Sequence, residues 1–233
     1  MRVVILQPGY LPWLGFFDQM DKSDVFIMYD DVQYDKHGWR NRNRIKTAQG
    51  AQWLTVPVLI KGQDNPLIKE VLINNRVDWR RAHLKSVQQS YSRAPFFDKY
   101  FAIFEDIYSK NWKYLVDVDM AFIFAIVEAI GLTAKIEVSS SLGIVGNSTQ
   151  RLVDICLHFV ATDYLTGDSA KDYLDESLFS QHDIKLEYHH YQHPRYNQLY
   201  GEFIPYMSVV DLVFNHGESS LDILTNRKSV EEM

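Results

Sequence analysis

Apolar positions along the chain change their period several times, and each change marks an element. Residues 2–6, RVVIL, carry a short apolar run with β-branched side chains, which predicts a buried strand ended by Pro8 and Gly9. Pro12 suits the first turn of a helix. Trp13, Phe16, Phe17 and Met20 then fall three and four apart on one stripe. The run DVFIMYDD follows DKSD and predicts a second strand, so strand, helix and strand outline a βαβ unit with a parallel pair. Asp30 and Asp31 are then expected at the carboxyl end of that strand, the edge where open α/β sheets bind ligands.

Further on, NRIKT, the turn-like AQGA and the alternating QWLTVPVLI predict a β-hairpin, with Pro57 tolerated near an edge. Helical spacing recurs at about 77–92, 95–110 and 114–131, and Gly131 reads as a C-terminal stop. KIEVSSS predicts a strand, and Ser148 or Thr149 is expected to cap the helix TQRLVDICLHFVA. DYLTGDSA reads as a strand running into a glycine turn, KDYLDESLFSQH as a helix and KLEYHHYQH as a strand. FIPYMSVVDLVFNHG reads as a helix ended by Asn215 to Gly217, followed by a polar tail. The expected fold is α/β with a Rossmann-like, mainly parallel sheet. It carries a β-hairpin and a helical insertion at about 77–131 within a single domain over residues 1–233.

Composition narrows the class without naming a function. Hydrophobic residues at 46% and charged residues at 23% are ordinary globular usage, so neither a disordered nor a fibrous chain is indicated. The formal charge of -6 argues against duplex DNA as the partner. The lone Cys156 lies in the apolar run LVDICLHFVA and reads as an inert buried thiol. No window approaches about 18 apolar residues, and Pro8 and Pro12 interrupt the first apolar stretch too early for a signal peptide. A cytoplasmic protein with no membrane partner is expected.

Four stretches carry candidate chemistry. In QPGYLPWLG, a loop between a strand and a helix N-terminus gathers backbone N–H groups and suits an anion, and Gly9 permits close approach; the bland alternative is a tight turn. Gln7, Gly9 and Tyr10 are its candidate contacts. The layout resembles that of HIGH-type nucleotidyltransferases. Phe16 nevertheless follows Gly15 where those enzymes have histidine, and there is no KMSKS-like sequence. In DDVQYDKHGWRNRNR, arginines alternate with Asn41 and Asn43, so that in an extended chain one face can grip phosphate while the other meets hydroxyls or amides. The alternative there is an exposed charged hairpin.

In YHHYQHPRYNQ, four residues on a strand separate His189 from His193 by roughly 13 Å, too far to share a metal ion. His193 is instead a candidate proton carrier, with Tyr196 and Gln198 beside it. In YLTGDSAKDYLD, Thr166, Gly167 and Ser169 end a strand and open a helix, and can meet a sugar, ribose or phosphate. Many ordinary turns look alike.

Taken together, QPGYLPWLGFF, DDVQYDKHGWRNRNRIK, WLTVPV, YLTGDSAKDYL and YQHPRYNQ, followed by FIPYMSVVDLVFNHG, resemble the WbqC-like family over nearly the whole chain. The resemblance implies a place in gene clusters for O-antigen and other surface polysaccharides, and the glycylation of amino-sugars. It implies a nucleotide-linked amino-sugar as acceptor, and glycyl-tRNA or another activated acyl group as donor. ATP with Mg²⁺ is needed if the protein activates the acyl group itself. On that reading Gln7 to Tyr10 and Arg42 hold a phosphate, Trp39 stacks on a base or sugar, and Asp31 or His193 takes the amine proton. Lys36, Asn41 or loop N–H groups would stabilise the oxyanion. The alternative is a nucleotide- or sugar-nucleotide-binding protein on the same frame without catalysis, which Phe16 favours.

Overall fold

A computed structural model describes residues 1–62 and 64–227. In chain order the elements are β1 (Arg2–Leu6), α1 (Leu14–Asp21), β2 (Val25–Met28), β3 (Arg42–Thr47), β4 (Gly50–Thr55), β5 (Val58–Leu59), β6 (Leu72–Ile73), α2 (Trp79–Tyr91), α3 (Phe97–Ser109) and α4 (Leu115–Ile130). They continue with β7 (Lys135–Val138), α5 (Ser148–His158), β8 (Asp163–Gly167), α6 (Glu176–Ser180), β9 (Lys185–His189), α7 (Val209–His216) and α8 (Ser220–Leu224). Two compact units result. One comprises residues 1–7, 18–31 and 133–192; the other comprises 8–17, 32–132 and the described residues from 193 on.

The first unit is a five-stranded, wholly parallel sheet in the order β7-β2-β1-β8-β9. Its strands step outward from β1 through β2 to β7, then resume on the opposite side of β1 with β8 and β9. This is the Rossmann-like, doubly wound plan, with its switch point between β1 and β8. Helices cover such a sheet on both faces, so its central strands are continuous apolar runs rather than alternating ones. β1 and β2 fit that pattern: Val3, Val4, Val25, Phe26, Ile27 and Met28 are all buried. Val3, Ile5, Val25 and Ile27 pack with Val153, Ile155 and Cys156 of α5 and with Tyr164 and Phe179. Burial pushes the Cys156 thiol up to about 12, as an inert core thiol requires. The two edge strands, β7 and β9, are four and five residues long.

The second unit is mainly helical. The three expected helices appear as α2, α3 and α4, and Gly131 closes α4 with a left-handed φ of 71°, its N–H donating to Val127 and Glu128 carbonyls. Aromatic rings fill this core, with Phe104, Phe122, Tyr91, Phe97 and Phe214 in mutual contact. β3 and β4 form the expected hairpin, Thr47 facing Gly50 across its tip.

Several boundaries differ from the sequence expectation. β4 stops at Thr55, and Val58–Leu59 pairs instead with Leu72–Ile73, because Pro57 has no N–H to continue the first ladder. Asn147 takes the N-cap position of α5, while the Thr149 hydroxyl accepts from the Asp175 amide at 3.1 Å. The segment after β8 is a short 3₁₀ turn over Asp168–Asp172, and α6 begins only where Asp175 caps it through the Ser177 N–H. β9 ends at His189, so His193 lies beyond the strand. α7 begins after Ser208, whose hydroxyl accepts from the Val210 N–H. Of the polar tail, residues 228–233 lie outside the described residues, whereas Ser220–Leu224 is helical.

Candidate functional site

Parallel strands direct all their carboxyl ends to one edge, so in the first unit five strand termini converge there. Gln7 follows β1, Asp30 and Asp31 follow β2, and Ser139 and Ser140 follow β7. Gly167 closes β8, with Asp168 and Ser169 after it; His189 closes β9, followed by His190. Of the sequence candidates, Gln7, Asp31, Thr166, Gly167 and Ser169 therefore share this edge, and Gln7 and Gly167 flank the switch point. The Thr166 side chain is buried, Gly167 is half-buried and Ser169 is exposed.

The edge is organised by three ionic contacts. Asp31 accepts from Arg151 Nη2 at 2.6 Å and from Ser139 Oγ at 2.6 Å, and the two charged side chains are only 14% and 6% exposed. Its neighbour Asp30 accepts from the Ser140 N–H at 3.0 Å and from the Ser140 hydroxyl at 2.7 Å, locking the ends of β2 and β7 together. Asp18, buried on α1, lies 2.5 Å from His189 Nε2 and 2.5 Å from Lys22.

The third contact is exposed. His190 Nδ1 meets Asp168 Oδ2 at 2.9 Å, and Lys171 meets the other Asp168 oxygen at 2.8 Å. Lys171 first and His190 after it hold the Asp168 carboxyl below its usual range. A carboxylate on Nδ1 requires that nitrogen to carry the proton. In the neutral ring Nε2 is then the proton acceptor, the orientation a general base needs.

The remaining candidates belong to the second unit. Gly9 packs under the Trp39 carbonyl, where an added Cβ would sit 3.1 Å from the oxygen, and the Tyr10 N–H donates to the Arg40 carbonyl at 2.9 Å. Gly9 thus serves close approach of chain to chain. The Tyr10 ring is fully enclosed, its hydroxyl bonded to His83 Nδ1 at 2.9 Å and to Tyr108, so its side chain is a core element that offers no surface to a ligand.

Asn41 donates to the Val56 carbonyl at 2.8 Å, while Lys36 and Trp39 are exposed. Arg42 donates to the carbonyls of His37 and Gly38 at 3.0 and 3.3 Å. The alternation in RNRNR is realised: Asn43 is buried and donates to the Leu11 carbonyl, while Arg42 and Arg44 face outward.

His193 donates from Nδ1 to the Pro194 carbonyl at 2.8 Å and accepts the Tyr206 N–H on Nε2 at 3.1 Å. Burial lowers its pKa, and both ring nitrogens are engaged within its own loop. Gln198 clasps Ile204 with two hydrogen bonds, and Tyr196 is buried. Sequence reading overlooked Asp18, Asp168, His190 and Arg151. The available signal was His190 immediately after an alternating strand and Asp168 immediately after TG, both at predicted carboxyl ends.

The fold and this edge define a doubly wound α/β protein with polar groups gathered at the carboxyl ends of its parallel strands. The profile of the WbqC-like protein family matches residues 7–223, and the chain belongs to that family. It is also 39% identical over 225 residues to Uncharacterized protein Rv1507c of Mycobacterium tuberculosis (strain ATCC 25618 / H37Rv), covering 96% of this chain and 97% of that protein. No solved structure matches the chain significantly. Among the described residues, no helix is long and apolar enough to cross a membrane.

Proposed function

We propose that this protein transfers an activated glycyl or similar acyl group to the amine of a nucleotide-linked amino-sugar, forming an amide during surface polysaccharide synthesis. The observation that carries the reading is the Asp168–His190 pair at the adjoining carboxyl ends of β8 and β9, in which the carboxylate engages Nδ1 and leaves Nε2 of the neutral ring as the proton acceptor. Amide formation needs such a base, because the amine nitrogen turns cationic as it bonds to the acyl carbon and must lose a proton if the activating group, rather than the amine, is to leave. In the proposed step the N–C bond forms, the bond from the acyl carbon to its activating group breaks, and the amine proton passes to His190 Nε2.

Asp31 suits this task less well than the sequence suggested, since its carboxylate already serves Arg151 and Ser139. Gln7, Gly167 and Ser169 are the proposed contacts to the acceptor's sugar or phosphate. ATP with Mg²⁺ enters only if the acyl group is activated on the protein.

Mass spectrometry of the purified protein with nucleotide-linked amino-sugars tests the reading, offering glycine with ATP, glycyl-tRNA or acyl-CoA as donors. An amide-sized mass gain on the sugar supports it and names the donor. Retention of the sugar nucleotide with every donor unreactive replaces it with a binding protein.

A further inference from the structure

The β3–β4 hairpin and the turn that leads into it carry two exposed tryptophans that core packing does not explain. Trp39 is 46% and Trp53 44% exposed, and their ring centroids lie 4.9 Å apart at an interplanar angle of 47°. Large aromatic surface left in water together marks a contact site more often than chance. The guanidinium of Arg42 lies 5.0 Å from the Trp53 ring centroid, and that of Arg44 lies 5.7 Å from both rings. Register explains the grouping: Arg44 pairs directly with Trp53 across the ladder, so both project from one face.

Each part is fixed before any ligand arrives. Asp35 accepts the His37 N–H at 2.8 Å and shapes the turn leading to Trp39. The carbonyls of His37 and Gly38 hold Arg42, and the Tyr206 carbonyl holds Arg44 at 3.2 Å.

We infer that Trp39, Trp53, Arg42 and Arg44 form a stacking platform for a nucleobase whose attached phosphate is met by the two guanidiniums. Two cations beside two indoles match a ligand that is aromatic at one end and anionic at the other. A neutral sugar would find stacking area but no use for the charges. The inference rests on the proposed function only in taking a nucleotide as ligand, and it needs no transfer step. The same base-phosphate chemistry is offered by a free sugar-nucleotide carrier and by an unpaired RNA end.

Calorimetric titration of the full chain with uridine, guanosine, adenosine and thymidine 5′-diphosphates, with a short single-stranded oligoribonucleotide and with a neutral oligosaccharide decides the matter. Saturable binding of a diphosphate is expected, weakened about tenfold by Trp53→Ala, retained by Trp53→Phe, and weakened by Arg44→Gln and by added salt. Binding of the oligoribonucleotide alone, with the same sensitivities, assigns the platform to RNA. No saturable binding of either, binding indifferent to Trp53→Ala, or equal binding of the neutral oligosaccharide overturns the inference. Because the titration reads binding only, a platform that binds in a protein that forms no amide separates this inference from the transfer reading.

Discussion

Asp168 and His190 lie 22 residues apart in sequence, yet their side chains meet at 2.9 Å because β8 and β9 are parallel neighbours that end together. On the proposed reading, His190→Gln removes the proton acceptor. It is expected to lower kcat by about 10² to 10⁴ while the affinity for the acceptor holds. Asp168→Asn, which leaves the ring but loses the carboxylate that selects its tautomer, should fall between parent and His190→Gln. Steady-state rates of amide formation check both, and full activity in His190→Gln would remove His190 from the mechanism.

Arg151 is expected to act through stability. Its guanidinium is buried against Asp31, so Arg151→Ala leaves a carboxylate with little access to water. The loss should be about 3 kcal/mol, measured by urea denaturation. Arg151→Ala combined with Asp31→Asn should recover part of it, since the stranded charge is then gone.

Two buried groups of the second unit should pull stability in opposite directions with pH. Burial pushes His83 from 6.5 down to about 4, so within that range the unfolded chain binds a proton the native chain refuses, and stability falls as pH is lowered. Burial raises the Asp211 carboxyl from 3.8 to about 6, so the native chain there holds a proton the unfolded chain releases. Its contribution is lost as pH rises through that upper value. Relative to the parent, His83→Gln should gain stability as pH falls from about 6.5 to 4. Asp211→Asn should gain it as pH rises from about 4 to 6, each by about 3 kcal/mol at most. Denaturation midpoints across the range reveal the two slopes; parallel curves for variant and parent would contradict the assignment.

Gly217 follows α7 with φ at 55° and ψ at -121°, a region closed to residues with a Cβ. An added Cβ would also sit 2.3 Å from the Phe96 ring. Gly217→Ala should cost about 3 kcal/mol. Adding Phe96→Leu should return only the steric share, leaving the backbone share visible in the double variant's midpoint.

The opening βαβ unit was legible because its apolar periods are strong and local, and α2, α3 and α4 were legible for the same reason. Gly131 announced its own left-handed cap. Strand order was not written in any local pattern: nothing in KIEV or DYLTG says that β7 and β8 lie on opposite sides of β1. The ionic pairs were hidden similarly, because Asp31 finds Arg151 across 120 residues and Asp18 finds His189 across 171. His193 reads as a proton carrier in the sequence because it stands beyond a strand end, next to Pro194 and with Tyr196 and Gln198. Its ring nitrogens proved to be spent on the backbone of its own loop.

The short edge strands have a consequence for solubility at high concentration. β7 presents a Lys135–Glu137 pair at 3.1 Å, and β9 presents a Lys185–Glu187 pair, each joining alternate residues and so lying on one side of its strand. A second chain adding itself to either end of the sheet would set its own side chains beside these charges and gain a ladder of only four or five residues. Short, charged borders of this kind disfavour a sixth strand, and replacing the charges with valine is expected to raise self-association, read by light scattering at high concentration.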